Sequence, residues 1–125
     1  MNFLLVFVGA GLGGMLRHAV NMLTLRWLGP NFPWGTFLIN ITGSIAMGLV
    51  VGFLTHRNLP GTGLRLFVAT GVLGGYTTFS TFSLDSALLM ERGAYVQAGA
   101  YVIGSVVLSI LALFAGLWLV RALYA

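Results

Sequence analysis

Apolar residues run along this chain in four long blocks, separated by short clusters rich in Gly, Pro or polar residues. The first block starts near Asn2, stays apolar to Leu16 and continues through Arg17 to about Leu28. GPNFP (Gly29 to Pro33) reads as a turn from its Gly and Pro content. The second block runs from about Trp34 to Thr55, with Trp34 suited to a membrane interface. HRNLPGTG (His56 to Gly63) is the next loop, and a third block starts near Leu64 and ends before Glu91. ERG (Glu91 to Gly93) makes a tight connection to a fourth block, about Ala94 to Val120, which holds no charge. A bilayer-spanning helix needs about 20 apolar residues. The pattern therefore predicts an all-α membrane protein with four transmembrane helices, filling residues 1–125 as a single domain. The opening MNFLLVFVGAGLGG has no basic residue before its apolar run, so it reads as a retained first span and not a cleaved signal peptide.

Polar residues within the blocks are few and regularly placed. Thr36, Asn40, Ser44, Gly48 and Gly52 recur every fourth residue on the second block, and Gln97, Tyr101, Ser105 and Ser109 do so on the fourth. Residues four apart share a helix face, so each helix carries one polar or small stripe. In hydrocarbon such a stripe must face protein or a water-filled path. Close helix packing accounts for the GxxxG spacings Gly9/Gly13, Gly48/Gly52 and Gly71/Gly75. Ser44, Ser105 and Ser109 fit packing and a path equally well. Asn40 and Tyr101 are larger and costlier to bury, which favours a path. Arg17 suits either a snorkelling interfacial cation or one that draws anions into a vestibule. His18 and His56 fall near the membrane edges, and Asp85 reads as a capping or pairing carboxylate.

One stretch of the third block breaks the pattern. GGYTTFSTFS (Gly74 to Ser83) puts two glycines, five serine and threonine residues, a tyrosine and two phenylalanines into otherwise apolar sequence. As a surface loop it would leave ten residues before it and seven after it. Neither piece can cross about 30 Å of hydrocarbon as a helix at about 1.5 Å per residue. The stretch therefore belongs near the bilayer midplane. Adjacent glycines and β-branched threonine weaken a helix, so GGYT is the expected site of a break. Carbonyls freed there would suit a small hard cation. Beyond it, Phe79 and Phe82 lie three residues apart and so are expected to share a helix face, with Ser80, Thr81 and Ser83 on adjoining faces. Ring edges are weakly positive and, with hydroxyls and the Asn40 amide, offer the weak partners that suit a passing anion.

Composition and charge narrow the class. Hydrophobic residues make up 58% of the 125 positions and charged residues 6%, against about 25% charged in a soluble domain. With no cysteine, disulfides and thiolate metal sites are excluded. The net charge of +4 is too small to suggest nucleic-acid binding. All six basic residues are arginine, and four spans put Arg57, Arg65 and Arg121 at one side and Arg17, Arg26 and Arg92 at the other. Orientation normally follows an excess of basic residues on the cytoplasmic side, and this even split specifies neither. It fits a weakly biased single orientation or dual topology with an antiparallel dimer. Four short helices enclose little, so an oligomer is expected in either case. The serines have no nucleophile elbow and the two acids form no carboxylate pair, so no catalytic constellation appears.

Three segments together resemble the Fluc family of fluoride channels, also called CrcB proteins: GAGLGGMLRH (Gly9 to His18), GTFLINITGS (Gly35 to Ser44) and GVLGGYTTFSTFS (Gly71 to Ser83). The likeness extends over essentially the whole chain, and its third segment is the most specific. It implies a dual-topology antiparallel homodimer with two pores that passively conducts fluoride. Phe79 and Phe82 would be the pore phenylalanines, Asn40 the amide beside them, and Ser80, Thr81, Tyr101 and Ser109 the rest of a polar track. The carbonyls of Gly74 and Thr77 from both subunits would hold a central structural Na+, and Arg17 would stand at the vestibule. His18 stands where the family usually has tyrosine, and Asp85 where glutamate is frequent. A small multidrug-resistance-type proton-coupled transporter has similar length and span number. It needs a membrane-embedded carboxylate, which the first span lacks.

Overall fold

Lipid offers no partner to a backbone N–H or C=O, so a chain this apolar must satisfy its own backbone within helices. The structure, a computed structural model, describes residues 2–58 and 63–124, and these are mostly helical with no strand among them. The helices are α1 (Asn2–Leu28), α2 (Trp34–His56), α3 (residues 63–76), α4 (Ser80–Glu91) and α5 (Tyr95–Leu123). Three of them, α1, α2 and α5, are long and apolar enough to cross a membrane. With α3 and α4 counted as one interrupted segment, the four helices of the hydropathy pattern are accounted for. Residues 59–62 of the expected loop after α2 lie outside the described residues.

The connections follow local backbone chemistry. Pro30 and Pro33 fall between α1 and α2, where no helical N–H is required. After α4 the chain turns at Gly93, with φ +81°. The Gly93 N–H reaches the Met90 carbonyl at 3.0 Å and the Ala94 N–H the Leu89 carbonyl at 2.9 Å, the paired bonds of a Schellman C-cap. A side chain at that φ would be strained, so glycine is the fitting residue. The two turns at this end are tied by Arg92, whose Nη2 donates to the Asn31 carbonyl at 2.9 Å. At the other end the rings of His56 and Tyr124 stack 4.6 Å apart. The ends of α2 and α5 therefore meet, as four alternating spans require.

Packing pairs α2 with α5 and α1 with α3, while α4 lies against α5. Both main pairs use glycine where backbones meet. A Cβ on Gly48 would strike the Leu113 carbonyl and lie 3.1 Å from the Gly116 Cα, and one on Gly9 would lie 3.0 Å from the Gly71 Cα. The GxxxG spacings thus sit at helix contacts, where small residues permit close approach. Buried Phe82, Leu89, Ala98 and Tyr101 form the apolar cluster between α4 and α5, with Phe32 and Phe37 packed against it.

The third segment narrows the expected break to the last residue of GGYT. Residues Leu66–Leu73 wind as a π-helix, and Gly74–Tyr76 continue as α-helix. Helical geometry is lost only at Thr77, whose φ −78° and ψ 158° are extended. The glycines of GGYT do not unwind the chain. Their helix penalty of about 1 kcal/mol is offset by what they permit: a Cβ on Gly75 would lie 2.8 Å from the Ala10 Cα, so this residue lets α1 lie directly on α3.

Candidate functional site

The interruption is organised by a side chain from another helix. Asn40, on the polar stripe of α2, donates from Nδ2 to the Thr78 carbonyl at 3.0 Å. The Thr78 N–H in turn donates to Asn40 Oδ1 at 2.9 Å. Thr78 is buried, and a buried backbone group without a partner is costly, so the amide completes what the broken helix leaves open. The Thr77 N–H and hydroxyl both donate to the Leu73 carbonyl, each at 3.0 Å, closing α3. The Thr78 hydroxyl accepts the Thr81 N–H at 3.2 Å, which caps the start of α4. With those N–H groups engaged elsewhere, the Gly74 and Thr77 carbonyls accept no backbone N–H among the described residues.

Beside the break lies a cavity of about 360 Å³. Asn40 and Ser44 of α2, Thr77 to Phe79 of the break, Phe82 of α4, and Ser105 and Ser109 of α5 are among its lining residues, none of which is charged. The two serine hydroxyls are buried and have no hydrogen-bond partner among the described residues. A helical serine can satisfy itself on the carbonyl four residues back, as Ser86 does on Phe82 at 2.8 Å. Ser105 and Ser109 do not, so two buried hydroxyls in the wall of the cavity are left without a partner. The Phe79 and Phe82 rings are 5.6 Å apart and tilted by 44°. Phe79 precedes α4 instead of sharing a helix face with Phe82, and the two differ in exposure, 77% against 9%.

A second cavity of about 380 Å³ opens toward the end of the fold that carries the α1–α2 turn, and Asn21, Thr24, Thr36, Thr81, Asp85 and Arg92 are among its lining. Tyr101 joins the walls of the two. Its ring, with no exposed surface, packs 5.2 Å from that of Phe82, and its hydroxyl donates to Asp85 Oδ2 at 3.1 Å. Asp85 thus has the pairing role expected of it.

Of the residues singled out from sequence, Asn40, Thr77, Phe79, Phe82 and Ser109 line the first cavity, and Thr81 lines the second. Ser80 is exposed and lines neither, its hydroxyl 3.4 Å from that of Thr78. Gly74 offers a carbonyl and no wall. Arg17 is half-buried near the middle of α1 and lines neither cavity. Ser105, whose place on the stripe leaves packing and a path both open, lines the first cavity as well, and so does Thr78, which the sequence does not single out. Thr78 bonds a residue 38 positions away, and nothing local marks it.

Comparison with known proteins agrees over nearly the whole chain. Residues 4–117 match the family described as CrcB-like protein, Camphor Resistance (CrcB). A protein of Nitrobacter hamburgensis named fluoride-specific ion channel FluC 2 is 63% identical, covering 98% of this chain and 99% of its own. Proteins named fluoride-specific ion channel FluC from Rhodopseudomonas palustris and Mesorhizobium japonicum are 55% and 57% identical, over 98% of this chain and 99% and 98% of theirs. With the matched region reaching from the start of α1 well into α5 and spanning the whole broken segment, the chain belongs to the CrcB-like family.

Proposed function

We propose that this chain is a subunit of a fluoride channel that lets the anion leave the cytoplasm passively, down its electrochemical gradient, and so protects the cell. The observation that carries this reading is the pair of buried, unpartnered hydroxyls of Ser105 and Ser109, residues in the wall of an uncharged cavity. A buried hydroxyl without a bond costs about 1–3 kcal/mol, and a passing anion supplies the missing acceptor. Ring edges at Phe79 and Phe82 add weak positive charge. Donors without a fixed cation bind an anion firmly enough to dehydrate it and weakly enough to release it. Phe79, Phe82, Asn40, Ser80, Thr81, Tyr101 and Ser109 form the proposed path, joined by Ser105, and Arg17 acts at the vestibule of the assembled protein. Hydrogen fluoride enters cells as a neutral weak acid and ionises inside, and a negative-inside potential drives the anion out. A selective channel therefore needs no coupling residue and no catalysis. The names of the relatives support the same ion.

The proposed assembly is an antiparallel homodimer of single-domain subunits inserted in both orientations in a bacterial inner membrane. The even arginine split supports it, as do the 77% exposure of the Phe79 ring and the sparsely buried α1. The Gly74 and Thr77 carbonyls fit a structural Na+, because they are oxygen donors released from helical bonding. When bound, the ion would neutralise the carbonyl dipoles that the break exposes. A proton-coupled multidrug transporter is disfavoured: Asp85 is bonded to Tyr101, and Glu91 is exposed at the end of α4.

The test is efflux from liposomes followed with a fluoride electrode. Fluoride release should far outpace chloride release, and Phe82→Ile should sharply reduce the flux while leaving the dimer intact. Folded, reconstituted protein that releases no fluoride would sink the reading. Cross-linking that traps only parallel dimers would separately remove the antiparallel assembly.

A further inference from the structure

The two hydrogen bonds between Asn40 and Thr78 do more than furnish a pore wall. In an unbroken helix the Thr78 N–H would donate to the Gly74 carbonyl, four residues back. Here that N–H donates to Asn40 Oδ1, and the Thr78 carbonyl accepts from Asn40 Nδ2. A carboxamide is the side-chain group that offers donor and acceptor together, as a peptide does. Thr78 is buried at the junction, so both of its backbone groups need partners there.

We propose that Asn40 is a positioning residue: by clasping the Thr78 backbone at both of its polar groups, it keeps the Gly74 carbonyl out of helical bonding and available to the central cation. This rests on the sodium site proposed above and assigns Asn40 a task beyond lining the anion path. The same contact joins the two sites, because Asn40 and Thr78 also line the cavity that holds the unpartnered serine hydroxyls. One N–H of the Asn40 amide stays uncommitted, and the clasp fixes the plane in which it is presented.

The experiment is thermal unfolding of the purified dimer in fluoride-free buffer, with sodium titrated against N-methylglucamine. The wild-type midpoint should rise with sodium, as it does for any ligand that binds only the folded state. In Asn40→Ala the Thr78 N–H returns to the Gly74 carbonyl, and the sodium concentration at which the midpoint begins to rise should increase about tenfold or more, the scale of one lost bond to a charged group. Asn40→Asp keeps an acceptor for the Thr78 N–H, and its sodium requirement should stay within about threefold of wild type. Phe82→Ile, outside the clasp, should leave the requirement unchanged. A wild type indifferent to sodium, or an Asn40→Ala protein that responds as wild type does, would overturn the proposal. Should Asn40→Ala not fold, amide exchange in the wild-type protein decides. A protected Thr78 N–H supports the clasp, and exchange at the rate of an open loop removes it. Absence of fluoride efflux would sink the channel reading and leave this test standing, because unfolding reads sodium without fluoride.

Discussion

The α2–α5 pair and the α3–α4 segment solve the same problem, a polar site in an apolar surround, in opposite ways. Helices α2 and α5 are regular throughout, so their backbone groups are spent on each other, and they offer a ligand only side chains: Asn40, Ser105 and Ser109. The α3–α4 segment passes from π-helix to α-helix to extended chain and back, and it offers carbonyls as well. Hydroxyl hydrogens suit an anion and bare carbonyl oxygens suit a cation. The interrupted segment thus adds backbone carbonyls, which the whole helices cannot offer, to the rings and hydroxyls that it contributes beside them.

The comparison can be broken most severely at the close contact that keeps the regular pair whole. Gly48→Val places atoms against the Leu113 carbonyl and near the Gly116 Cα. Overpacking of that kind should cost about 3 kcal/mol and abolish monodisperse protein on size exclusion. Gly99→Ala, with nothing within 4 Å of the added Cβ, should leave the profile unchanged. A smaller loss is expected on the interrupted side. Gly75→Ala meets the α1 backbone at Ala10 and should lower stability by about 2 kcal/mol, read as a reduced melting midpoint. Equal tolerance at Gly48 and Gly75 would show that the pairs are not held by backbone approach.

Separating function from stability sharpens the comparison further. Ser105→Ala combined with Ser109→Ala removes hydroxyls that bond nothing within the described protein. The melting midpoint should hold or rise slightly, while fluoride flux falls about tenfold, the scale of one lost bond to an ion. A marked loss of stability would mean that the hydroxyls serve packing. The smallest effect is expected at Tyr101→Phe, which deletes the bond to Asp85 Oδ2 and should cost about 1 kcal/mol in thermal unfolding.

What sequence could reveal here depended on periodicity. The bounds of α1, α2 and α5 follow from apolar run length, and their glycine contacts from GxxxG spacing, because both signals are local. The midplane position expected of GGYTTFSTFS rests on length alone. The onset of the break at Thr77, the last residue of GGYT, was not legible, since both glycines stay helical and the close contact of Gly75 with α1 is invisible until α1 is placed. The Asn40–Thr78 clasp spans 38 residues and leaves no trace in spacing. The contrast between exposed Phe79 and buried Phe82 escaped a three-residue periodicity, because Phe79 precedes the helix to which that periodicity applies.

Helix α1 has a use that its plain sequence conceals. Of its 27 residues only Gly9 and Gly13 are buried, and the open face carries Phe3, Phe7, Met15, Met22 and Trp27 at high exposure. Along that face the chain's own fold places almost no demand on side-chain size. A scan of bulky or spin-labelled side chains down α1 would therefore work as a proximity map: wherever a label is rejected or immobilised, the obstacle belongs to another molecule, and the pattern of such positions would trace that neighbour's outline.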